Sequence, residues 1–316
     1  MKNFIRGFVR ESLRKLIGKR RLEELKRLVY TFHPATLRTL YNEVSATNRG
    51  VQKLLEHSYR ELARRQSAPS LFDVGLRCFS QSEEDGLLLY VFSLIGTTNK
   101  KVVEICAGDG IECNAANLII HHGWRGLLVD GDEQNIIRGR RFYARCRDTF
   151  FYPPFFAHTW ITAENANKVV LEHGFGGDID LLSLDLDGMD YWIWKSLTCV
   201  QPRVVILEFT SRWGPYRAVT IPYQPDFRAN WDRMPWCYGA SLAAFVKLGR
   251  ERGYRLVGTN WHGFNALFLR SDVGVDLFPE VSPVECFERT PFLNYWTPDW
   301  LPRPEERPEW WNVVEV

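Results

Sequence analysis

The sequence of 316 residues lacks the features that mark a membrane-spanning, secreted or disulfide-stapled protein. No stretch of about 18 consecutive apolar residues is present, so no transmembrane helix is expected. The basic N-terminus has neither a continuous apolar run nor a small-residue cleavage site, so we expect no secretory signal. None of the seven cysteines belongs to a CxxC pair. This pattern argues against structural zinc and a disulfide framework, and it favours reduced thiols in a cytosol.

Charge is distributed unevenly along the chain, although the formal net charge is only +2. Residues 1–66 carry 16 Lys and Arg against 6 Asp and Glu, whereas the remaining residues carry 24 basic and 32 acidic side chains. Residues 4–17 place apolar side chains at helical spacing opposite arginines, which predicts a basic amphipathic helix. Two interpretations of residues 1–32 stay open. They form a helical arm that packs on the body or on a second subunit of a homo-oligomer, or they lie on an anionic membrane surface. Nucleic acid is not expected as a partner, because the body is acidic and contains no recognisable nucleic-acid-binding module.

From about residue 80, short apolar strands alternate with helical segments. The predicted strands are VVEIC (102–106), GLLVD (126–130), FFYPPFFA (150–157), DLLSLDL (180–186), RVVILEF (203–209), YRLVGTN (254–260) and NALFLRS (265–271). This alternation predicts an α/β fold with a largely parallel sheet that helices cover on both faces, and the final hairpin predicts an antiparallel edge. We therefore divide the chain into a basic helical extension (1–66), a linker (67–79), an α/β domain (80–290) and a Pro- and Trp-rich tail (291–316).

The first strand is followed by a glycine-rich turn, VEICAGDGIECNAANL. Ala107, Gly108 and Gly110 allow the backbone to approach a ligand closely, and the helix that follows offers free N–H groups. The spacing does not match GxGxxG, so the turn alone is a weak signal. Asp130 ends the second strand about 20 residues later, where an acid grips ribose hydroxyls in dinucleotide-binding folds. The glycine turn and Asp130 together predict a site for a nucleoside-type ligand.

Several segments, in this order and spacing, resemble class I S-adenosylmethionine-dependent methyltransferases of the FkbM type. The segments are FSQSEEDG (79–86), EICAGDG (104–110), GWRGLLVDGDEQN (123–135), TAENANKVV (162–170), LLSLDLDGMDYWIWKSL (181–197) and ILEFTSRWGPYRAVTIPY (206–223). The resemblance implies a Rossmann-like seven-stranded sheet and methyl transfer from S-adenosylmethionine to a hydroxyl, typically of a sugar, polysaccharide or other natural product.

The resemblance also implies roles for individual residues. Glu104 would orient the glycine loop near the methionine amino group, and Asp130 would bind the ribose diol. The residues that would line the cofactor in addition are Gln81, Ala107, Gly108, Gly110 and Asp185. Asp85, in the same element as Gln81, would border the mouth of the site on the substrate side. Two departures stand out: Cys106 replaces the usual glycine, and no acid follows the third strand, so an aromatic such as Trp160 would contact adenine instead.

Three aspartates, Asp185, Asp187 and Asp190, follow the fourth predicted strand. They do not form an EF-hand, because the glycine falls at the fourth position from Asp185 rather than at the sixth. Asp190 falls in the first turn of the next helix, where a carboxylate favours the helix dipole. Asp185 and Asp187 would face the transferred methyl group and serve as base. Together with Glu208 they would alternatively hold Mg²⁺ or Mn²⁺ through oxygen ligands.

Two further regions supply candidate site residues. His262, in the loop NWHGFN, is the best histidine candidate for the base. The long loop 210–238 is rich in aromatic residues, of which Trp213 and Tyr216 are candidates for stacking on a sugar ring, and Arg212 is a candidate for binding an acidic group.

We therefore expect an S-adenosylmethionine-dependent O-methyltransferase that acts on a saccharide or glycoconjugate in the cytosol, with a basic arm that is a candidate for binding the inner membrane face. Two alternatives stay open. One is an NAD-type nucleotide-binding oxidoreductase, and the other is a non-catalytic scaffold that keeps the methyltransferase fold.

Overall fold

A computed structural model describes residues 34–229, 239–290 and 312–316, with side chains from residue 44 onward. The helix predicted at 4–17 lies outside the described residues, and so does the whole of residues 1–32, the candidate membrane-binding arm. Trp231 and Trp236 of the aromatic loop, and most of the Pro- and Trp-rich tail, also lie outside.

The first described element is a long helix, α1 (Pro34–Arg64), which begins with the proline that is favoured at a first helical position. The chain divides into two compact units, residues 1–53 and 54–316, and this division falls inside α1. The predicted end of the basic extension, residue 66, lies just after the end of the helix. No helix among the described residues is long and apolar enough to cross a membrane.

A seven-stranded mixed sheet forms the centre of the second unit. Its strands are β1 (Lys101–Ile105), β2 (Arg125–Asp130), β3 (Phe155–His158), β4 (Gly177–Leu184), β5 (Val200–Glu208), β7 (Tyr254–Thr259) and β8 (Asn265–Arg270). Their order across the sheet is β3-β2-β1-β4-β5-β8-β7. The first five strands in this order run parallel, and β8 runs antiparallel to both of its neighbours. The predicted seven-stranded Rossmann-like sheet with an antiparallel closing hairpin is confirmed.

Helices connect the strands and cover the sheet. They are α2 (Glu84–Ile95), α3 (Ala116–His122), α4 (Glu133–Tyr143), α5 (Ala166–Glu172), α6 (Asp190–Ser196), α7 (Leu242–Glu251) and α8 (Pro283–Arg289). A separate two-stranded pair joins β6 (Val219–Thr220) to β9 (Val314–Glu315).

Both faces of the sheet are buried, as the near-continuous apolar strands predict. On one face, Val103 and Ile105 of β1 belong to a core that includes residues of α5, α6 and α7. On the other face, Val102 is fully buried, and Gly126 of β2 lies so close to Ile119 of α3 that an added Cβ atom would approach it to 2.5 Å. Helices therefore pack on both faces of the sheet.

Two segments differ from the sequence predictions. The strand predicted at 150–157 is restricted to 155–158, because the two prolines at 153 and 154 have no N–H group to donate to a neighbouring strand. The predicted linker 67–79 contains a short 3₁₀ helix, Leu71–Asp73, and the side chain of Leu71 is buried against Gly258 of β7. The 3₁₀ helix therefore packs on β7, at the edge of the sheet.

Candidate active site

A cavity of about 1160 Å³ opens at the carboxyl ends of β1, β2, β4 and β5. The chain moves outward from β1 to β2 and β3 and then returns to β4, on the other side of β1. The cavity thus lies at the point where the strand order reverses, which is where open α/β sheets bind ligands. Nine acidic residues and two arginines of the described chain line it. This excess of negative charge favours a ligand that carries positive charge.

The turn after β1 lies close to the end of β2. Gly108 and Gly110 have φ angles of 57° and 70°, and Cys106 has a φ of 62°, a left-handed conformation that is uncommon for a residue with a side chain. The N–H group of Gly108 donates to Oδ2 of Asp130 at 2.9 Å, and Oδ1 of Asp130 accepts a bond from the N–H group of Asp132 at 2.8 Å. Asp130 therefore joins the glycine turn to the end of β2.

Glu104, on β1, fixes the other end of the same turn. Its two carboxylate oxygens accept hydrogen bonds from the N–H groups of Asn114 and Ala115 at 2.9 and 2.7 Å, and the hydroxyl of Ser183 donates to it at 3.1 Å. Burial raises the pKa of Glu104, and the backbone donors oppose this effect. The side chain also lines the cavity, so it can position the turn and contact a ligand at once.

The turn after β4 separates its three aspartates by function. Asp190 is buried, and its two carboxylate oxygens accept bonds from the N–H groups of Leu186 and Gly188 at 2.8 and 3.1 Å. These bonds fold the turn back onto the start of α6. Asp185 and Asp187 line the cavity together with Asp190, but neither of them makes these turn-forming bonds. Asp187 has a φ of 52°, which an aspartate tolerates better than most residues do.

Asp185, Asp187 and Glu208 each offer a carboxylate oxygen within 4.8 Å of the other two. Burial, followed by the negative charges of its neighbours Asp190 and Asp187, raises the pKa of Asp185 well above its usual value. Burial and the charge of Asp185 raise the pKa of Glu208 in the same way. Burial also raises the pKa of Asp187, and it raises the pKa of Asp190 to about 6. The cluster can therefore hold either a shared proton or a cation, and oxygen-only ligation suits Mg²⁺ or Mn²⁺.

His262 lies in the loop between β7 and β8 and lines the cavity. Its Nδ1 atom lies 2.8 Å from Oε2 of Glu83 and 2.9 Å from the hydroxyl oxygen of Ser82. The N–H group of Trp261 donates to the second carboxylate oxygen of Glu83. An ionised carboxylate only accepts hydrogen bonds, so the pair assigns the proton to Nδ1 and the lone pair to Nε2.

Aromatic side chains form the wall beyond Asp130. The indole N–H of Trp160 donates to the carbonyl oxygen of Pro225 at 2.8 Å, and the guanidinium of Arg228 lies 4.4 Å from the centre of the Trp160 ring. A Cβ atom at Gly131 would approach the Trp160 ring to 2.7 Å, so the absence of a side chain at this position admits the ring. Trp160 and Phe227 line the cavity.

The structure brings most of the predicted site residues to this cavity. Those that line it are Gln81, Glu104, Gly108, Asp130, Asp185, Asp187, Glu208, Arg212 and His262. Ala107 and Gly110 belong to the turn but do not line the cavity. A Cβ atom at Gly110 would lie 2.7 Å from the side chain of Leu128, so this glycine serves close packing.

Three predicted substrate-binding residues do not line the cavity within the described part of the chain. Oδ2 of Asp85 accepts bonds from the N–H groups of residues 78, 79 and 80, and Asp85 is 1% exposed. Trp213 is buried and lies beside the guanidinium of Arg212, 4.9 Å from it. Tyr216 is exposed to solvent. Sequence composition indicates an aromatic loop, but the direction of each ring depends on the packing of that loop.

Several contributors were not predicted from the sequence. Ser82 and Glu83 contact His262, and Glu84 accepts hydrogen bonds from the side-chain amides of Asn260 and Asn265 at 2.7 and 3.1 Å. The start of α2 thus holds the loop that carries His262. The acidic pair at 83 and 84, at the start of an apolar helix, is the sequence signal, but the contact partners lie about 180 residues away.

Comparison with models of known protein families finds no match, and comparison with curated proteins finds none either. Among solved structures, a putative caffeoyl-CoA O-methyltransferase from Staphylococcus aureus is similar, with 13% identity, 73% of this chain and 99% of that chain covered, and a TM-score of 0.41. An S-adenosylmethionine-dependent methyltransferase from Clostridium acetobutylicum has 10% identity, covers 69% and 98% of the two chains, and gives a TM-score of 0.40. The N-terminal domain of EvdMO1 with SAH bound has 14% identity, covers 69% and 96%, and gives 0.39. All three TM-scores are below 0.5, so these similarities do not assign an activity to the chain.

Proposed function

We propose that the protein is an S-adenosylmethionine-dependent O-methyltransferase that acts on a hydroxyl of a saccharide or glycoconjugate. One observation carries the proposal: acidic side chains from the ends of four strands surround a single cavity beside a glycine turn. S-adenosylmethionine carries a sulfonium cation, an amino group and a ribose diol, and each of these suits a carboxylate partner. The resemblance of the sequence segments to FkbM-type methyltransferases supports the same assignment.

The residues of the first two strands fit the nucleoside part of this cofactor. Asp130 presents its carboxylate at the cavity wall and would accept bonds from the ribose hydroxyls. Trp160 and Phe227 supply apolar surface for adenine, in place of the acid that is missing after β3. The turn at 106–110 and Glu104 would hold the methionine part. These positions leave the ends of β4 and β5 for the acceptor.

Methyl transfer requires an acceptor oxygen in line with the sulfonium group, and a base that takes its proton. An oxygen lone pair forms the new C–O bond while the C–S bond breaks, and the sulfonium becomes a neutral thioether. The acceptor proton passes to Nε2 of His262 or to a carboxylate of Asp185 or Asp187. Both kinds of base line the cavity, and substitution of His262 distinguishes between them.

Asp185, Asp187 and Glu208 also fit a divalent cation. Burial raises the pKa values of all three, the negative charges of neighbouring carboxylates raise those of Asp185 and Glu208 further, and a cation would relieve this repulsion. A bound cation supplies a Lewis acid that lowers the pKa of the acceptor hydroxyl. Arg212, which also lines the cavity, would bind a polar or acidic group of the acceptor.

Isothermal titration with S-adenosylhomocysteine and with NAD tests the proposal directly. We expect binding of S-adenosylhomocysteine and no binding of NAD, and the reverse result would favour an oxidoreductase. A methyl-transfer assay on sugar acceptors, with and without a chelator, distinguishes an enzyme from a scaffold. Binding without transfer to any acceptor would support a scaffold, and activity unchanged by a chelator would exclude the cation.

A further inference from the structure

Three consecutive aromatic residues, which we call the aromatic tip (150–152), protrude from the surface between α4 and β3. Phe150, Phe151 and Tyr152 are 48%, 76% and 89% exposed. The rings of Phe150 and Phe151 contact each other, with centroids 3.9 Å apart. A contiguous exposed aromatic surface is unfavourable in water, and such surfaces mark sites of interaction.

The aromatic tip is held in a defined conformation. The N–H group of Phe150 donates to the carbonyl oxygen of Cys146, and the N–H group of Tyr152 donates to that of Thr149, each at 3.0 Å. Thr149 itself is buried, and two prolines follow the tip. A surface ordered in this way loses little conformational entropy when it docks.

Positive charge is concentrated in the segment of the chain that leads to the aromatic tip. The segment 138–152 contains five arginines and one aspartate. All five arginines are exposed; Arg141, Arg145 and Arg147 lie nearest the tip in the sequence, whereas Arg138 pairs with Asp109 in the glycine turn. Next to the tip, the guanidinium of Arg125 lies 5.1 Å from the centre of the half-exposed Phe155 ring. The partner therefore has to offer both an apolar layer and negative charge.

We propose that the aromatic tip docks onto an anionic lipid bilayer. Aromatic rings settle at the depth of the headgroups, where one end of the ring is apolar and the other is wet. Arginines beside them pair with lipid phosphates and with the negative potential of the surface. Three adjacent aromatic residues with arginines nearby match a bilayer surface, which offers apolar chains beneath charged headgroups. The proposed contact lies in the described body of the protein, outside residues 1–32.

Two other occupants fit less well. A second copy docking tip to tip would bring two arginine-rich segments together, and like charges would repel. Single-stranded nucleic acid requires open aromatic faces on which bases stack, but Phe150 and Phe151 already cover part of each other. A bilayer is free of both difficulties.

The position of the aromatic tip is compatible with catalysis. The tip directly precedes β3, so it lies at the amino end of that strand, whereas the cavity lies at the carboxyl ends of the parallel strands. Docking would therefore leave the cavity open to the aqueous side. Changes at the tip should not alter methyl transfer to a water-soluble acceptor, if the proposed activity is present.

Flotation of the full chain with vesicles tests the proposal. We expect the protein to bind vesicles of phosphatidylcholine mixed with phosphatidylglycerol at least about tenfold more strongly than vesicles of phosphatidylcholine alone. The combined change Phe150→Ser, Phe151→Ser and Tyr152→Ser should lower binding to the mixed vesicles by about tenfold or more. The pair Arg141→Gln and Arg147→Gln should lower it by a similar factor without removing apolar surface. Leu171→Ser with Val275→Ser, at exposed apolar positions elsewhere, should bind as the unmodified protein does.

Three results would contradict docking of the aromatic tip onto a bilayer. If both tip variants bind mixed vesicles as the unmodified protein does, another part of the chain, such as residues 1–32, carries any membrane affinity and the proposal fails. If the partner is instead a second copy of the chain, sedimentation without vesicles would show a dimer that the aromatic substitutions dissociate, and this result would overturn the proposal. Fluorescence anisotropy of a labelled single-stranded oligonucleotide would detect a nucleic-acid ligand, and tip-dependent binding there would also overturn the proposal.

Discussion

The carboxylate of Glu83 contacts the imidazole of His262, with Oε2 2.8 Å from Nδ1, although the two residues lie 179 positions apart in the sequence. Glu83 directly precedes α2, whereas His262 lies in the loop between β7 and β8. The contact fixes the tautomer of the ring and gives Nε2 the role of acceptor. Through this contact, the start of α2 holds the candidate base, His262.

The first prediction concerns this pair. His262→Gln should lower kcat for methyl transfer by about 10²- to 10⁴-fold, the usual contribution of a general base. Glu83→Gln should lower kcat about ten- to a hundredfold, because it removes a charge-assisted hydrogen bond that orients the ring. Neither change should alter the affinity for S-adenosylhomocysteine in titration calorimetry. Glu280→Gln, an exposed acid paired with Arg250, is the control. Full activity of His262→Gln would assign the proton to Asp185 or Asp187 instead.

A second prediction concerns Asp130 and the nucleoside. Asp130→Ala should weaken binding of S-adenosylhomocysteine about ten- to a hundredfold, because both the diol contact and the anchor of the Gly108 turn are lost. Asp276→Asn, at an exposed acid that does not line the cavity, should bind normally. Titration calorimetry measures both variants. Equal affinity in the two variants would place the ribose elsewhere.

The carboxylate cluster predicts a pH dependence of stability in the presence of a chelator. Burial raises the pKa of Asp190 to about 6, and burial and like charge raise the pKa values of Asp185 and Glu208. A raised folded-state pKa means that the folded chain holds protons that the unfolded chain has released. The contribution of this cluster to stability is therefore fully present below the unfolded pKa of about 4 and is lost as the pH rises through the folded pKa values.

Thermal unfolding between about pH 4 and about pH 7 measures this loss. Glu208→Gln should make the loss shallower and raise Tm at the upper end of the range, whereas Asp276→Asn, at an exposed acid, should not. Mg²⁺ or Mn²⁺ should raise Tm of the unmodified protein at the upper end and have no effect on Glu208→Gln. An equal cation effect on both proteins would contradict binding at this cluster.

The backbone conformation of Cys106 predicts that glycine at this position gives a more stable protein than alanine does. Its φ of 62° lies in the left-handed region, where a Cβ atom costs about 1 kcal/mol or more and glycine costs nothing. Cys106→Gly should therefore be more stable than Cys106→Ala by about 1 kcal/mol. At Ala144, which has a φ of −65° and is exposed, the change to glycine should destabilise instead. Urea unfolding of the variants compares the two positions, and a Cys106→Ala protein as stable as Cys106→Gly would show that the turn relaxes.

Substitution of Asp180, a residue that does not line the cavity, is expected to have a large effect on stability. It is fully buried, and its carboxylate accepts bonds from the N–H groups of Thr98, Asn99 and Lys100 and from Arg203. Burial alone would raise the pKa of Asp180, but these donors outweigh it and lower the pKa. Its contribution is present above the unfolded pKa and is lost as the pH falls through the lower folded pKa.

Asp180→Asn should therefore cost about 3 kcal/mol, because it leaves a buried guanidinium and several N–H groups without a charged acceptor. The matched control is Asp178→Asn, two positions away, where an exposed carboxylate pairs with Arg270 and contributes less than about 1 kcal/mol. Urea unfolding at neutral pH compares them. Similar free energies of unfolding for the two variants would contradict the structural role of Asp180.

The fold was largely predictable because its information is local and periodic. Val102–Ile105, Leu127–Val129 and Leu181–Leu184 are buried throughout and apolar except at Glu104 and Ser183, a pattern that is typical of strands buried on both faces. Their alternation with amphipathic helices requires crossover connections, and these produce a parallel sheet. The prediction erred at 150–154, where aromatic composition suggested a strand and the two following prolines produced an exposed turn instead.

By itself, the sequence determined which acidic residues lie together at the cavity, because these residues stand at the ends of predicted strands. Asp130, Asp185 and Glu208 end or directly follow parallel strands, and the carboxyl ends of parallel strands meet at one edge of a sheet. Only the tertiary structure decided the partners that loops and helix ends bring together: Glu83 with His262, Asp180 with residues 98–100, and Trp160 with Arg228. Periodicity encodes which side of an element is buried, but a contact between distant loops depends on how they pack, and no local pattern records that.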